Sequence, residues 1–201
     1  HYFPRVHWLG ADPLGEAAAF AVHVFFALSG LLITGILLDT RTRIEGGKTT
    51  FWAALGRFHA RRVLRLFPVY YLVLGLCWAA GVPALREHPL ALLTFTHNNF
   101  LIRQGYFDGL VGHLWSLSVE QQFYLVWPFL MLLAPRRLLV LIAVATMAVA
   151  ESAKYYYLHN DPSGMGYYVA TVACADQFAG GALVAMAARD RKSTRLNSSH
   201  V

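Results

Sequence analysis

From Ala17 to Leu38 the chain runs without a single Asp, Glu, Lys or Arg. A helix of that length rises ~33 Å, enough to cross a hydrocarbon core of ~30 Å. The pattern recurs. Leu66 to Leu85 is a second uncharged run, and Leu114 to Ala134 is a third whose one charge is Glu120. Leu138 to Leu158 is a fourth, apolar to Ala150 and then carrying Glu151 and Lys154. Tyr167 to Ala188 is a fifth, interrupted only by Asp176. Pro89 to Ile102 is apolar but shorter than the ~17 residues a span needs, and it holds His97, Asn98 and Asn99. It reads as a re-entrant or interfacial segment. Only 14% of the residues are charged, against about 25% in a soluble domain, too few to solvate a water-facing surface. These runs predict an all-α fold, a polytopic transmembrane helix bundle embedded in a lipid bilayer.

The formal net charge is +6, and the basic residues cluster at Arg41 to Arg65, at Arg136 and Arg137, and after Ala188. Between apolar runs such clusters read as topology signals and not as a nucleic-acid surface. If Pro89 to Ile102 does not cross, all three clusters fall on the cytoplasmic side. Residues 1–16 and 86–113 then lie outside. Cys77 and Cys174 both sit in apolar stretches, so neither a disulfide framework nor a metal-ligand spacing is indicated. The chain starts at His1 with neither Met nor a signal peptide, which predicts a bundle truncated at both ends. Residues 191–201 turn abruptly polar and resemble translated sequencing-adapter DNA. The expected organisation is therefore a partial membrane core over 1–190 followed by a non-native polar tail.

Within the basic loop, Thr50 is placed to cap a helix running from Phe51 toward Leu66. Arg57, Arg61 and Arg65 recur at four-residue spacing and share one face, as in an amphipathic helix lying in the membrane interface. Pro68 follows at the turn into the second span. The residues richest in chemistry open the third span. Ser116, Glu120 and Tyr124 are spaced four apart and project from one helix face. A carboxylate at mid-bilayer costs ~3 kcal/mol, so such a residue faces a polar cavity unless it lies at hydrated interface depth. Ser29-Gly30 reads as a small pair that permits close helix packing. Glu151 and Lys154, three apart, neutralise each other. Asp176 either lines a cavity or pairs with a missing helix. The polarity of His97, Asn98 and Asn99 suggests an acceptor entrance.

Trp115-Ser-Leu-Ser-Val-Glu-Gln-Gln-Phe-Tyr124, followed by Pro128, resembles a hallmark of the acyltransferase-3 family of membrane proteins. Val24-Phe-Phe-Ala-Leu-Ser-Gly-Leu-Leu-Ile-Thr34 and Arg61-Arg-Val-Leu-Arg-Leu-Phe-Pro68 are similar to two further hallmarks, in the expected order. The resemblance implies a membrane-bound acyltransferase in a multi-pass fold of the bacterial cytoplasmic membrane. It implies acyl-CoA as co-substrate with no bound cofactor, and a hydroxyl of a cell-surface carbohydrate or glycolipid as acceptor. His1-Tyr-Phe-Pro4 is similar to the boundary that carries the family's catalytic histidine, which makes His1 the candidate base. Arg62 and Arg65 match the family's arginine pair and are the candidate donor-binding residues. Ser116, Glu120 and Tyr124 become the site-organising cluster. Many members carry an acid where His23 stands, so His23 receives no role.

The implied chemistry is coherent. Acyl transfer from a thioester to a hydroxyl needs a base, and neutral imidazole serves near neutral pH. Arginines at the cytoplasmic end of a span suit the phosphates of the donor, although they equally fix topology and bind anionic lipid. The rival reading is a non-enzymatic transporter or channel, because buried acids such as Glu120 and Asp176 also line ion pathways.

Overall fold

The computed structural model describes residues 13–198, with side chains from 17 to 190. Nine α-helices and two short 3-10 turns account for most of the described chain, and no strand occurs among the described residues. The helices are α1 (Pro13–Glu45), α2 (Phe51–Ala79), α3 (Pro83–Glu87), α4 (Pro89–Leu93), α5 (His97–Gln104), α6 (Trp115–Leu133), α7 (Leu139–Asn160), α8 (Met165–Val169) and α9 (Ala175–Ser198). Three stretches are long and apolar enough to cross a membrane: Ala17–Glu45, Phe51–Ala79 and Arg136–Asn160. The chain is an all-α integral membrane protein, and apolar residues such as Phe20, Leu32, Leu64, Leu72 and Leu141 stand exposed where lipid would cover them.

The core lies between α1, α6 and α9. Phe26 of α1 stacks on Phe178 of α9 with centroids 4.7 Å apart, and Phe178 stacks on Phe123 of α6 at 4.1 Å. Phe123 in turn stacks on Trp127 at 4.9 Å, while Trp115 meets Phe26 edge-on at 5.9 Å. Small residues let α1 and α9 approach. A Cβ on Gly30 would lie 2.0 Å from the Phe178 carbonyl oxygen, and one on Gly181 would lie 1.9 Å from that of Ala27. Without a hydrophobic drive between helices in lipid, such close backbone contact supplies the dispersion that holds them together. The expected packing role of Gly30 is borne out.

A smaller layer closes the other end. Tyr70 of α2 stacks on Phe95 at 4.4 Å and donates its hydroxyl hydrogen bond to the Leu92 carbonyl at 2.8 Å. These contacts hold the turn between α4 and α5, where Phe95 takes the left-handed conformation that non-glycine residues rarely adopt. Asn98 and Gln122 then knit α5, α6 and the segment after α8 together. Asn98 Nδ2 donates to the Val169 carbonyl (3.1 Å) and to Thr171 Oγ1 (3.0 Å). Gln122 Nε2 donates to Asn98 Oδ1 (2.9 Å) and to the Phe95 carbonyl (2.8 Å), and Thr171 donates back to Gln122.

Three local expectations differ from the structure. Thr50 does cap α2, its hydroxyl accepting from the Ala53 amide at 3.3 Å. However, α2 runs unbroken from Phe51 through Pro68 to Ala79, so the interfacial helix and the second apolar run are one element. Proline removes one ladder hydrogen bond but need not end a helix whose neighbours and side chains hold it. The fifth run begins in α8, breaks at Ala170–Cys174 and resumes in α9, because Thr171 and the Val169 carbonyl bond to Asn98 and Gln122 instead of continuing a helix. His97 and Asn98 are fully buried and not at an entrance. Burial keeps the His97 imidazole below its usual pKa despite Asp108, whose Oδ2 lies 3.7 Å from Nε2. Helix α9 itself continues to Ser198, into the polar stretch.

Candidate functional site

A cleft of about 700 Å³ opens between α1, α2 and α6. The sequence builds it from opposite tendencies. Phe25, Leu32, Ile36, Leu66 and Val69 furnish apolar walls, while Arg43 of α1 and Arg57, Arg61, Arg62 and Arg65 of α2 line the same space. α2 contains no acidic residue at all, so its arginines gain no counter-charge from their own helix. At the inner end sit Ser29, Glu120 and Tyr124.

These three form a buried polar cluster. Ser29 Oγ donates to Glu120 Oε1 at 2.8 Å, and the Tyr124 hydroxyl donates to the same oxygen. Ser29 is 8%, Glu120 7% and Tyr124 8% exposed. The four-residue spacing on α6 brings Glu120 and Tyr124 onto one face, and α1 supplies Ser29 across the seam. The Arg62 guanidinium lies 3.8 Å above the Phe58 ring and 4.5 Å above the Tyr124 ring, which fixes the cation beside the cluster. About one turn toward the arginine end, Trp127 Nε1 donates to Thr34 Oγ1 at 2.8 Å and locks α6 to α1.

The arginines outside the cleft behave differently. Arg41 donates to Glu45 and to the carbonyls of Met131 and Ala134, Arg136 pairs with Glu45, and Arg189 pairs with Asp39 at 2.6 Å. Among the described residues, Arg43, Arg57, Arg61, Arg62 and Arg65 have no carboxylate within 4.0 Å. Arg57 instead donates to the Thr49 hydroxyl. Five arginines and a single carboxylate, Glu120, are the charged residues that line this space among the described residues, which leaves it strongly positive.

The expected site residues are distributed as follows. Arg62, Arg65, Glu120 and Tyr124 share the cleft. Ser116 does not join them. It lines a second cavity and donates to the His113 carbonyl at 3.1 Å, because its place at the first turn of α6 turns it toward the segment before the helix. His1 lies outside the described residues. Asp176 pairs with Lys154 at 2.7 Å, and Lys154 also bonds Glu151 at 3.0 Å, so the acid is met by a cation of α7. Reading the sequence missed Ser29, taken for a packing residue, and missed Arg43, Arg57 and Arg61. The four-residue arginine rhythm is the available signal, and by itself it points to an amphipathic helix in the membrane interface. Among the described residues no group of three or more His, Cys, Asp or Glu could hold a metal ion.

The family profile described as an acyltransferase domain matches residues 1–200. A protein of Listeria monocytogenes named peptidoglycan O-acetyltransferase OatA is 31% identical over 183 residues, covering 81% of this chain and 28% of its own length. An uncharacterized protein of Haemophilus influenzae is 34% identical over 128 residues, covering 57% of this chain and 49% of its own. Staphylococcus aureus O-acetyltransferase OatA is 28% identical over 140 residues, 63% of this chain and 21% of its own. The chain thus spans half or less of the length of these relatives. No solved structure matches it.

Proposed function

The chain belongs to the acyltransferase-3 family, and from that premise we propose that it forms the donor-binding part of a membrane-bound O-acetyltransferase acting on a peptidoglycan-like carbohydrate. The name of the Listeria relative supports both the acetyl group and the acceptor class, and that of the Staphylococcus relative supports the acetyl group. The donor is acyl-CoA, whose phosphates meet the arginines of the cleft while its thioester arm extends along the apolar walls toward Ser29, Glu120 and Tyr124. From Arg43 to Ser29 along α1 is ~21 Å, a length suited to a donor whose charge and reactive carbonyl lie at opposite ends.

The single observation that carries this reading is the cleft itself, with carboxylate-free arginines leading to a buried hydrogen-bonded carboxylate. The acceptor oxygen attacks the thioester carbonyl carbon, the carbon–sulfur bond breaks, and the thiolate leaves. A base takes the hydroxyl proton and returns it to the sulfur. His1 is proposed for that base on resemblance alone. Glu120, Tyr124 and Ser29 organise the site around it. The arginine end faces the cytoplasm and the carbohydrate arrives from the opposite side, so the fold crosses the cytoplasmic membrane several times.

The test is transfer of labelled acetyl from acetyl-CoA to soluble muropeptides by the full-length parent in proteoliposomes. Transfer is expected, and it should vanish in His1→Ala while membrane insertion stays intact. A parent that binds acetyl-CoA no better than free acetate would end the proposal.

A further inference from the structure

The second cavity, about 360 Å³, has no part in the donor site just described. It is bounded by the first described side chains of α1 (Ala18, Ala19, Val22 and His23), by the segment Phe107–Ser116, and by Tyr168 of α8. Five side chains with hydrogen-bonding groups line it, from separate elements: His23 of α1, His113 of the 3-10 turn, Trp115 and Ser116 of α6 and Tyr168 of α8. Its walls include the rings of Phe107, Trp115 and Tyr168. Among the described residues, no arginine, lysine or carboxylate lines it. A pocket of flat ring faces with a few neutral donors and acceptors suits an uncharged polyhydroxylated ring, whose C–H faces lie on the aromatics while its hydroxyls meet imidazole and serine.

Its position gives the pocket a role. Ser116 precedes Glu120 by one helical turn, ~6 Å along α6, and His23 precedes Ser29 by ~9 Å along α1. The pocket therefore lies one step beyond the inner end of the arginine cleft, on the side away from the arginines. The rim is built firmly. Phe107 folds over Gly112, where an added Cβ would come within 3.3 Å of the ring, and Asp108 is held by Gln104 Nε2 at 2.6 Å with His97 behind it. Trp115 is braced by Phe26.

We propose that this cavity is the acceptor pocket, taking a neutral sugar unit and presenting one of its hydroxyls to the end of the donor cleft, with His23, His113 and Ser116 among its hydrogen-bonding groups. The inference rests on the acyltransferase reading and assigns Ser116 to the acceptor and not to the carboxylate cluster.

The experiment measures steady-state acetyl transfer by the full-length parent in proteoliposomes, varying muropeptide and acetyl-CoA separately. Ala19→Phe fills the pocket from α1, and Ser116→Ala removes a single hydroxyl with little risk to folding. Each variant is expected to raise the KM for muropeptide about tenfold while leaving the KM for acetyl-CoA and its acceptor-free hydrolysis within about twofold. An active parent whose Ala19→Phe and Ser116→Ala variants keep the muropeptide KM overturns the pocket alone. A KM for acetyl-CoA that rises in step with that for muropeptide also overturns it, because the cavity then belongs to the donor path. A parent without any acetyl-CoA turnover overturns the underlying acyltransferase reading, so the two failures are told apart.

Discussion

Helix α1 presents two faces that could hardly differ more. Toward α9 it is closed: Gly30 and Gly181 put backbone against backbone, aromatic rings interleave, and Arg189 is satisfied by Asp39 and by Thr42 at 2.8 Å. Toward α2 it is open, and the arginines along that opening lack carboxylate partners among the described residues. Both faces hold arginines, so residue type alone does not separate structure from function. The partner does. An arginine whose hydrogen bonds are already used belongs to the scaffold, whereas one left facing a cavity is available to a ligand.

The sharpest way to break this comparison is to neutralise the open side. Arg62→Gln combined with Arg65→Gln removes two charged donors from the cleft. At about 1.5 kcal/mol or more for each charge-assisted contact, affinity for acetyl-CoA should fall about a hundredfold. The thermal midpoint in detergent should fall only modestly, since neither arginine pairs with a carboxylate and the loss is confined to the stacking of Arg62 on Phe58 and Tyr124. Unchanged affinity by calorimetry would return the pair to the role of topology markers.

The closed side responds in the opposite sense. Gly30→Ala places a methyl group 2.0 Å from the Phe178 carbonyl oxygen, a backbone atom that cannot move alone. The helices must separate, at a cost of about 2 kcal/mol in overpacking, read as a lower unfolding midpoint. Wild-type stability in this variant would show that the α1–α9 seam is looser than its geometry. A third effect is smaller and needs no mutation. Raising salt from low to physiological ionic strength should weaken acetyl-CoA binding severalfold, because exposed charges beyond ~8 Å are screened, while stability stays level.

These contrasts also explain how much was legible beforehand. Long uncharged runs sufficed for the fold class, because lipid imposes helices on any such stretch. Glu120 and Tyr124 were legible because their spacing is a property of one helix. Ser29 was not, since its partner Glu120 is 91 residues away and only packing brings α1 to α6. The break at Ala170–Cys174 was hidden for the same reason. Its cause is Asn98 and Gln122, two amides on other elements. Pro68 misled in the other direction, because a local rule about helix termination yields to the tertiary setting of α2. Ser116 shows the limit of periodicity: it shares the spacing of Glu120 and Tyr124, but the chain before α6 turns back over the helix start and draws it into another cavity.

The finest test of the comparison is Arg189→Gln. The Arg189–Asp39 pair joins α9 to α1 at 2.6 Å, yet both side chains are substantially solvent-exposed, at 34% and 78%. Water and salt screen such a pair, so its loss should cost at most about 0.5 kcal/mol and shift the unfolding midpoint barely beyond error. Donor affinity should not change, because the guanidinium is directed at Asp39 and Thr42 and not at the cleft. The two readouts thus distinguish kinds of arginine as well as strengths. A paired, exposed arginine loses little in either, and the open-side pair loses far more binding than stability. If Arg189→Gln weakened acetyl-CoA binding as much as the cleft variants do, positive charge at this end of the bundle would act as a diffuse field. Pairing would then cease to mark which arginines hold the ligand.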